Sequence, residues 1–396
     1  MYQALLILES VALIYFAFVG VYTLLFSFAG VIRKLRNKKY TSDFENKYAI
    51  LIPAYKEDGI IVDVAQQALN QTYPQDLYDV YIIADSLQDA TISNLKKLPV
   101  ITEVVSFEKS TKVKALNTVL SRIQKSYDFA VILDADNVMK ENFLHVVNSV
   151  HKKGFRAIQG RRAAKNRDNN LSYLDGLSEE INNHVFCEGS TALGLSSSLK
   201  GSGMSFDYDL FKTLLSRLES IGGFDRELEV RFIQQGVKVR YVREAVVYDE
   251  KVEKTEVFEN QRKRWISSQF FYLRKYFLQG CLSLLKLNLA YFNSTVLRNI
   301  QLPRLIGLGL NTVFVVALFF VRDYLNYNYF WWLSTIGMTA LGMILAIPFE
   351  YYNRHFFKSL LMLPGIFFKM FLLLFKLKGA NKKFIHTPHG SSTPNK

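Results

Sequence analysis

The sequence predicts an α/β domain with a mostly parallel sheet, set between segments that cross or lie along a membrane. Between Lys47 and Gln159, short apolar runs typical of strands alternate with helical stretches, and this alternation favours a parallel sheet covered by helices. Long uncharged apolar runs lie on both sides of this region. Because 49% of the 396 residues are hydrophobic, the chain is too apolar to be disordered, and a large domain plus membrane helices is expected.

The first element is a predicted membrane-spanning helix, Val11–Ile32, within an N-terminal segment 1–40. The run carries no charge and is long enough to cross a hydrocarbon core roughly 30 Å thick. It is too long for the apolar part of a signal peptide. The basic residues that follow it are Arg33, Lys34, Arg36, Lys38 and Lys39. The positive-inside rule therefore places the next domain, residues 41–268, in the cytoplasm of a multi-pass inner or plasma membrane protein.

Five apolar runs are predicted as strands of that domain. They are Tyr48–Ala54, Val80–Ala84, Ile101–Phe107, Phe129–Leu133 and Ala157–Gln159. Acidic or polar residues end three of them, at Pro53–Glu57, Asp85–Asp89 and Asp134–Asp136. Ligands bind at the carboxyl ends of parallel strands, and unpaired buried carboxylates are costly. Asp134 and Asp136 are therefore predicted to bind Mg²⁺ or Mn²⁺, which would bridge a diphosphate; a solvated turn is the alternative.

Two later apolar runs, Leu305–Val321 and Tyr329–Phe349, predict a membrane hairpin within residues 299–350. The loop between them is rich in tyrosine and tryptophan, which is typical of a membrane interface. Before the hairpin, Phe270–Leu289 has apolar residues at helical spacing. This pattern predicts interfacial helices over residues 269–298.

The last predicted segment covers residues 351–396. Its apolar stretch, Ser359–Leu377, is interrupted by proline, glycine and two lysines. These interruptions favour a helix lying in the interface, with a third C-terminal crossing as the alternative. A basic tail, Lys376–Lys396, is predicted to lie in the cytoplasm.

Several sequence motifs follow one another in order over residues 48–270. They are the turn Pro53–Glu57, Asp85, the segment Thr111–Asn117, the DxD of Asp134–Asp136 and the QxxRW of Gln261–Trp265. In this order they resemble the family 2 membrane glycosyltransferases, which include cellulose, chitin, hyaluronan and poly-N-acetylglucosamine synthases. Thr111 stands where the family's GKxxALN segment has glycine. The resemblance implies a GT-A fold for the catalytic domain.

The resemblance also implies a donor site for a UDP-sugar, with UDP-GlcNAc as the family-weighted choice. Its predicted residues are Pro53, Tyr55, Glu57, Asp85, Lys112, Asp134, Gln261 and Arg264. The implied metal ligands are Asp134 and Asp136. The acceptor is expected at Trp265, with Gly201 and Ser202 in a glycine-containing segment that permits close approach of the backbone.

Asp225 is the predicted catalytic base, with Glu227 as its rival. Asp225 lies 36 residues before Gln261, which resembles the family spacing, but Phe224 precedes it where the family has an acidic residue. The alternative role for Asp225 is to cap a helix running from Arg226 to Gln235. One base and one metal site for the leaving group predict transfer with inversion.

The predicted function is therefore transfer of a sugar to a growing polysaccharide or glycolipid. Two alternatives remain: a single addition to a polyprenyl-phosphate or other lipid, and an inactive nucleotide-sugar-binding subunit. Because few spans are predicted, a polysaccharide pore is expected to need a homo-oligomer or a partner channel protein. The net charge of +14 is interpreted as affinity for anionic membrane lipids, since no nucleic-acid-binding motif is present.

Overall fold

The computed structural model describes residues 2–35, 40, 43, 45–218 and 222–376. Within them, eight strands form one mixed sheet in the order β3-β2-β1-β4-β7-β6-β8-β5. The strands are β1 (Tyr48–Tyr55), β2 (Tyr78–Asp85), β3 (Ile101–Val105), β4 (Phe129–Ile132), β5 (Val138–Met139), β6 (Ala157–Ala164), β7 (Met204–Asp207) and β8 (Arg240–Asp249).

Sixteen α-helical segments, several of them short, accompany this sheet in the described residues. They are α1 (Tyr2–Lys34), α2 (Ile61–Ala68), α3 (Asp89–Leu95), α4 (Lys112–Arg122), α5 (Phe143–His151), α6 (Asn170–Asn182), α7 (Ser190–Ala192), α8 (Tyr208–Leu215), α9 (Phe224–Gln234), α10 (Thr255–Ser283), α11 (Leu289–Phe292), α12 (Arg298–Ile300), α13 (Arg304–Phe319), α14 (Tyr329–Ala346), α15 (Arg354–Leu360) and α16 (Leu363–Leu374). Two π-helical stretches, Asn183–Gly189 and Asn293–Leu297, continue α6 and α11.

The predicted α/β fold is confirmed, and all five predicted strands are present as β1, β2, β3, β4 and β6. Four strand pairs are parallel and three are antiparallel, the latter formed where β7 and β5 join the sheet. Strands β5, β7 and β8 were not among the predicted runs. Polar and charged residues interrupt β8, so its sequence lacks the apolar run that marks a buried strand.

Helices cover both faces of the sheet, which explains why β1 is apolar along its whole length. Ile50 packs in a core that includes residues of α2 and α5, whereas its neighbour Leu51 packs in a second core that includes residues of α4, α8 and α9. Strands β2, β1 and β4 are adjacent and parallel, so their carboxyl ends lie side by side. Two non-glycine residues directly after β1 and β2, Lys56 and Ser86, have positive φ values of 57° and 58°, which is uncommon and concentrates at functional turns.

Helices α1 and α14 are long and apolar enough to cross a membrane, and they pack against each other along their length. Their close contact depends on glycine: a Cβ at Gly342 would lie 2.9 Å from the backbone of Leu24, and one at Gly20 would lie 3.1 Å from the carbonyl of Thr335. Small residues of this kind allow membrane helices to approach closely.

The other predicted membrane segments are shorter and bent. Helix α13 passes the same test only when it is joined to residues 289–300, from which it is bent by 56°; α15 and α16 do so only as a pair bent by 47°. The described residues therefore contain two to four candidate spans by length and composition. The predicted hairpin of two complete spans is thus reduced to one straight helix, α14, and one bent unit.

Helix α10 corrects the expected start of the interfacial region. It runs without interruption from Thr255 to Ser283, so no new helix begins at Phe270 and the expected boundary at residue 268 falls inside one helix. The basic tail beyond Lys376 and four of the residues after the first helix, 36–39, lie outside the described residues.

Candidate active site

One cavity of about 850 Å³ connects the carboxyl edge of the sheet with the candidate membrane helices. Twelve of the fourteen residues predicted for the site line it: Pro53, Tyr55, Glu57, Asp85, Lys112, Asp134, Asp136, Gly201, Asp225, Gln261, Arg264 and Trp265. Ser202 and Glu227 do not. The fold thus gathers residues separated by up to about two hundred positions because the strand ends, α9 and α10 meet at one edge.

The DxD lies directly after β4, as predicted. The ammonium of Lys112, the first residue of α4, donates to Asp134 Oδ1 and to the carbonyl of Gly201, the latter at 2.8 Å. Asp136 is buried, and one of its oxygens accepts a hydrogen bond of 2.9 Å from Asn137 Nδ2. Asp134 therefore lies beside a lysine, while Asp136 is held by Asn137 and by the backbone N–H of Glu250, 3.4 Å from its second oxygen.

Ser202 was predicted to touch the acceptor, and this is wrong. It is completely buried, and its Oγ accepts a 2.9 Å hydrogen bond from the backbone N–H of Asp134 while donating to Asn137. Ser202 therefore stabilises the DxD loop through hydrogen bonds on the buried side of the loop. Only its neighbour Gly201, with φ of +83°, reaches the cavity; a Cβ built there would lie 4.0 Å from Asp225 Oδ2.

The DxD has the chemistry of a metal site that is completed by the nucleotide. Among the described residues no group of three or more His, Cys, Asp and Glu side chains could hold a metal ion. Asp134 and Asp136 nevertheless both line the cavity and offer hard carboxylate oxygens, which Mg²⁺ and Mn²⁺ prefer. Because Mg²⁺ is commonly held by one or two carboxylates plus phosphates, these residues fit an ion bound together with a diphosphate.

Asp225 reaches the cavity because α9 begins against α10. Gly223 precedes the helix with φ of +67°, and a Cβ there would lie 2.2 Å from Ser268 Oγ of α10. Only glycine fits both the left-handed backbone and this contact. The helix begins at Phe224, so the expected helix from Arg226, capped by Asp225, is wrong. Asp225 instead lies in the first turn, where the helix dipole favours a carboxylate.

Glu227, the rival base, is buried and points away from the cavity. Its carboxylate accepts a hydrogen bond of 2.9 Å from Lys275 Nζ and longer ones of 3.4 Å from Tyr272 and Tyr276 of α10. A side chain held in this way joins α9 to α10. The structure therefore leaves Asp225 as the one of the two predicted bases that can approach an acceptor in the cavity.

The QxxRW residues project from one side of α10. Gln261, Arg264 and Trp265 are spaced by three and four residues, which places them on one helix face, and all three line the cavity. Burial lowers the pKa of Arg264, and the nearby carboxylates of Asp134 and Asp225 partly offset this effect. Arg264 therefore lies within electrostatic reach of both the DxD and the candidate base.

Arg262, the second residue of the motif, packs against its aromatic residue Trp265. Its guanidinium lies 4.5 Å from the centre of the Trp265 ring and 4.6 Å from that of Phe258, and it donates to Asp175 of α6. Cation–π contacts of this type stabilise ring orientation. Trp265, the predicted acceptor residue, is thereby fixed against the cavity wall.

Sequence reasoning missed a buried ionic cluster on the far side of the cavity. Its members are Arg162, Glu179, Lys200, Asp249 and Lys251. Burial would raise the pKa of Glu179, but the cations of Lys200 and Lys251 lower it well below its usual value. Lys251 Nζ lies 2.9 Å from Asp249 Oδ1. The cluster is recognised only from the ion pairs in the folded chain. Its members come from three elements, β6, α6 and β8, and from two connecting segments.

The membrane half of the cavity has a different lining. It is mainly apolar and includes Phe16 and Val19 of α1, Leu305 and Leu308 of α13, Met343 and Ile344 of α14, and Ile366 and Met370 of α16. The remaining lining is richer in charged and polar residues and includes the cluster around Arg162. A ligand with a polar end and a long apolar part matches this division.

Comparisons with known proteins agree with this geometry. A family model described as "Glycosyltransferase like family 2" matches residues 46–268. A beta-monoglucosyldiacylglycerol synthase of Trichormus variabilis is 28% identical over 186 residues, covering 45% of this chain and 38% of the relative. A probable glycosyltransferase of Bacillus subtilis, YdaM, is 24% identical over 59% of this chain and 57% of its own length. The chain thus spans less than two thirds of these relatives.

Among solved structures, the mannosyltransferase PcManGT from Pyrobaculum calidifontis, in complex with GDP-Man and Mn²⁺, has a TM-score of 0.53 to this chain. The match covers 86% of this chain and 97% of that one, at 17% identity. Similarity at this level concerns the fold alone. It extends beyond the sheet domain to a large part of the helices.

Proposed function

Because the chain belongs to glycosyltransferase family 2, we propose that it is a membrane-bound, inverting enzyme that transfers a sugar from a UDP-sugar to a lipid acceptor. The observation that carries this proposal is the single cavity shared by the sheet edge and the membrane helices. A water-soluble donor has access to one half, and an acceptor with an apolar part has access to the other. The name of the Trichormus relative, a synthase of a glucosyl lipid, supports a lipid acceptor.

The donor half offers groups for each part of a nucleotide sugar. Asp85 is buried beside β1 and lines the cavity, where a carboxylate can accept from the imide N–H of uracil. Asp134 and Asp136 would hold Mg²⁺ or Mn²⁺, which when bound neutralises charge on the diphosphate. Arg264 donates from a planar fork suited to phosphate oxygens.

The acceptor chemistry is assigned to Asp225. Its carboxylate, in the first turn of α9, can take the proton from an acceptor hydroxyl as that oxygen attacks the anomeric carbon. The leaving diphosphate departs on the opposite side, toward the DxD. A single displacement of this kind inverts the configuration, since one bond forms as the other breaks on the far face.

The proposed arrangement in the cell has the sheet domain, from residue 41 into helix α10, in the cytoplasm and the remaining segments in or on the membrane. Three features support it: the apolar helices α1 and α14, the apolar part of the cavity lining, and the basic residues that follow α1. Repeated addition to a polysaccharide, with a homo-oligomer or partner channel, stays a prediction from the resemblance.

Turnover of UDP-sugars by the full chain in nanodiscs containing a bacterial lipid extract tests the proposal. We expect release of UDP that depends on the lipid and a product of lipid mass plus one hexose or N-acetylhexosamine by mass spectrometry. A ladder of products differing by one sugar would favour repeated addition. UDP release that is equal with and without lipid acceptors would overturn the proposed transfer.

A further inference from the structure

Polar side chains interrupt the apolar lining of the membrane half of the cavity at Thr23, Asn311 and Thr339. Thr339 donates to the carbonyl of Thr335 in its own helix. Thr23 projects from α1 and Asn311 from α13; both line the cavity and both are almost fully buried. Polar residues inside membrane segments are rare and face protein interiors or functional cavities. Neither belongs to a motif of the resemblance, and neither is used by the proposed transfer chemistry.

Asn311 is only half satisfied by the protein. Its Oδ1 lies 3.0 Å from the hydroxyl of Thr335 of α14, whose one proton also lies within reach of the Trp332 carbonyl at 2.8 Å. This contact joins the two helices. Within the described part of the chain, its Nδ2 donates to no protein group, although that atom carries two N–H donors. If Asn311 served only to join α13 to α14, the hydroxyl contact would explain its oxygen but not its free amide N–H groups.

Thr23 provides a second, independent observation on another helix. Threonine in a helix usually donates to the carbonyl four residues earlier, as Thr339 does to Thr335 at 2.8 Å. The Thr23 hydroxyl makes no such bond among the described residues. Its methyl group packs at Gly342 of α14, 2.9 Å from where a Cβ would stand.

We propose that Thr23 and Asn311 form a subsite that donates hydrogen bonds to the ester or amide carbonyls of an acyl-lipid acceptor. The inference rests on the proposed function and narrows its acceptor to lipids with carbonyl-linked acyl chains. Unpaired donors are costly in an apolar surrounding, and the acyl linkage is the part of such a lipid that offers acceptors near its polar end. A polyprenyl chain offers none.

The depth of the subsite agrees with this assignment. Asn311 lies seven residues into α13 from Arg304, the first residue of the helix, which is roughly 10 Å at 1.5 Å per residue. Arg304 lies at the boundary with the ionic part of the cavity, where it donates to Asn182. A lipid whose hydroxyl faces Asp225 would extend its linkage carbonyls past Arg304 toward this depth, with its acyl chains beyond.

A pair of lipids that differ only in their carbonyls tests the subsite. We would compare 1,2-dioleoylglycerol with its ether analogue, 1,2-di-O-oleylglycerol, by the rise in Tm of the full chain in detergent and by kcat/KM for transfer in nanodiscs. Wild type should prefer the ester, with a larger Tm rise and about five- to tenfold higher kcat/KM, as expected for one or two neutral hydrogen bonds. Asn311→Leu should bring both ratios close to one.

Thr312→Val is the matched control. Thr312 is the neighbouring polar residue of α13, but it is exposed away from the cavity and donates to Leu308 at 2.9 Å; its loss should leave the ester preference unchanged. Equal Tm rises for the two lipids in wild type, an unchanged preference in Asn311→Leu, or stronger stabilisation by undecaprenyl phosphate than by either glycerolipid would overturn the subsite. Failure of the proposed function is distinct, because it would abolish lipid-dependent UDP release with every lipid.

Discussion

The two halves of the cavity differ in the ligand chemistry that their linings favour: one lining is charged and the other is mainly apolar. At the sheet edge, carboxylates and cations lie next to one another, as in the pairs Lys112–Asp134, Arg162–Asp249 and Lys251–Asp249. In the membrane half the walls are mainly apolar, and the exceptions are few, such as Thr23 and Asn311. The first half is therefore adapted to a charged ligand that changes charge during reaction, and the second to retain an apolar ligand that does not. The junction between α9 and α10 brings the candidate base to the boundary of the two.

The largest effect expected from this division is at Asp225. Asp225→Asn should lower transfer by about 10²–10⁴-fold, because an amide does not accept the acceptor proton. Nucleotide binding, measured by calorimetry with UDP, should stay within about twofold of wild type. Transfer at near normal rates in Asp225→Asn would contradict the assignment of Asp225 as the catalytic base.

A smaller effect, confined to the sheet-edge half, is expected for Asp136→Ala. The affinity for UDP in the presence of Mn²⁺ should fall by about a hundredfold, or ~2.7 kcal/mol, since one carboxylate holds the ion less well than two. Binding of dioleoylglycerol, in the other half, should not change. Tight UDP binding with unaltered metal dependence would contradict the role of the DxD as a metal site.

Glu227→Gln separates a structural carboxylate from a catalytic one on the same helix. Its loss should destabilise the fold by about 2 kcal/mol, less than the roughly 3–5 kcal/mol for a fully buried pair, because Lys275 is partly exposed. The variant should show a lower Tm but near normal transfer per folded molecule. An inactive Glu227→Gln beside an active Asp225→Asn would reverse the assignment of the base.

The smallest effect concerns His151, which lies outside both halves of the cavity. Burial lowers its pKa to about 3, and the ring is held by Phe155 and Ser205 at 2.6 and 2.8 Å. The folded form therefore binds its proton less readily than the unfolded form, so its contribution is present above pH 6.5 and is lost progressively toward pH 3. Stability should decrease by ~1.4 kcal/mol between pH 7.5 and 5.5.

The pH dependence of Tm checks this expectation, with His151→Gln as the comparison. The variant should have lower stability at pH 7.5 but a flatter profile, because the titrating group is absent. Equal slopes in wild type and variant would show that another group titrates.

The sequence by itself determined the parts that depend on local pattern. The apolar runs of β1, β2 and β4 and the acidic residues after them were sufficient to predict a parallel sheet with a polar edge, since a buried strand needs apolar residues on both faces. The same local logic identified the first candidate membrane helix, whereas QxxRW was found only through the family resemblance. Asp134 and Gln261, two of the predicted site residues, line the same cavity, and their roles stay predictions.

Only the tertiary structure decided which polar residues line the cavity and which form hydrogen bonds inside the protein. Ser202 and Glu227 looked equivalent to their neighbours Gly201 and Asp225, yet each is buried with protein partners. The ionic cluster at Glu179 and the polar positions at Thr23 and Asn311 gave no local signal. The role of a buried polar side chain depends on its hydrogen-bond partners. Those partners come from distant segments of the chain, so the pattern of adjacent residues does not predict them.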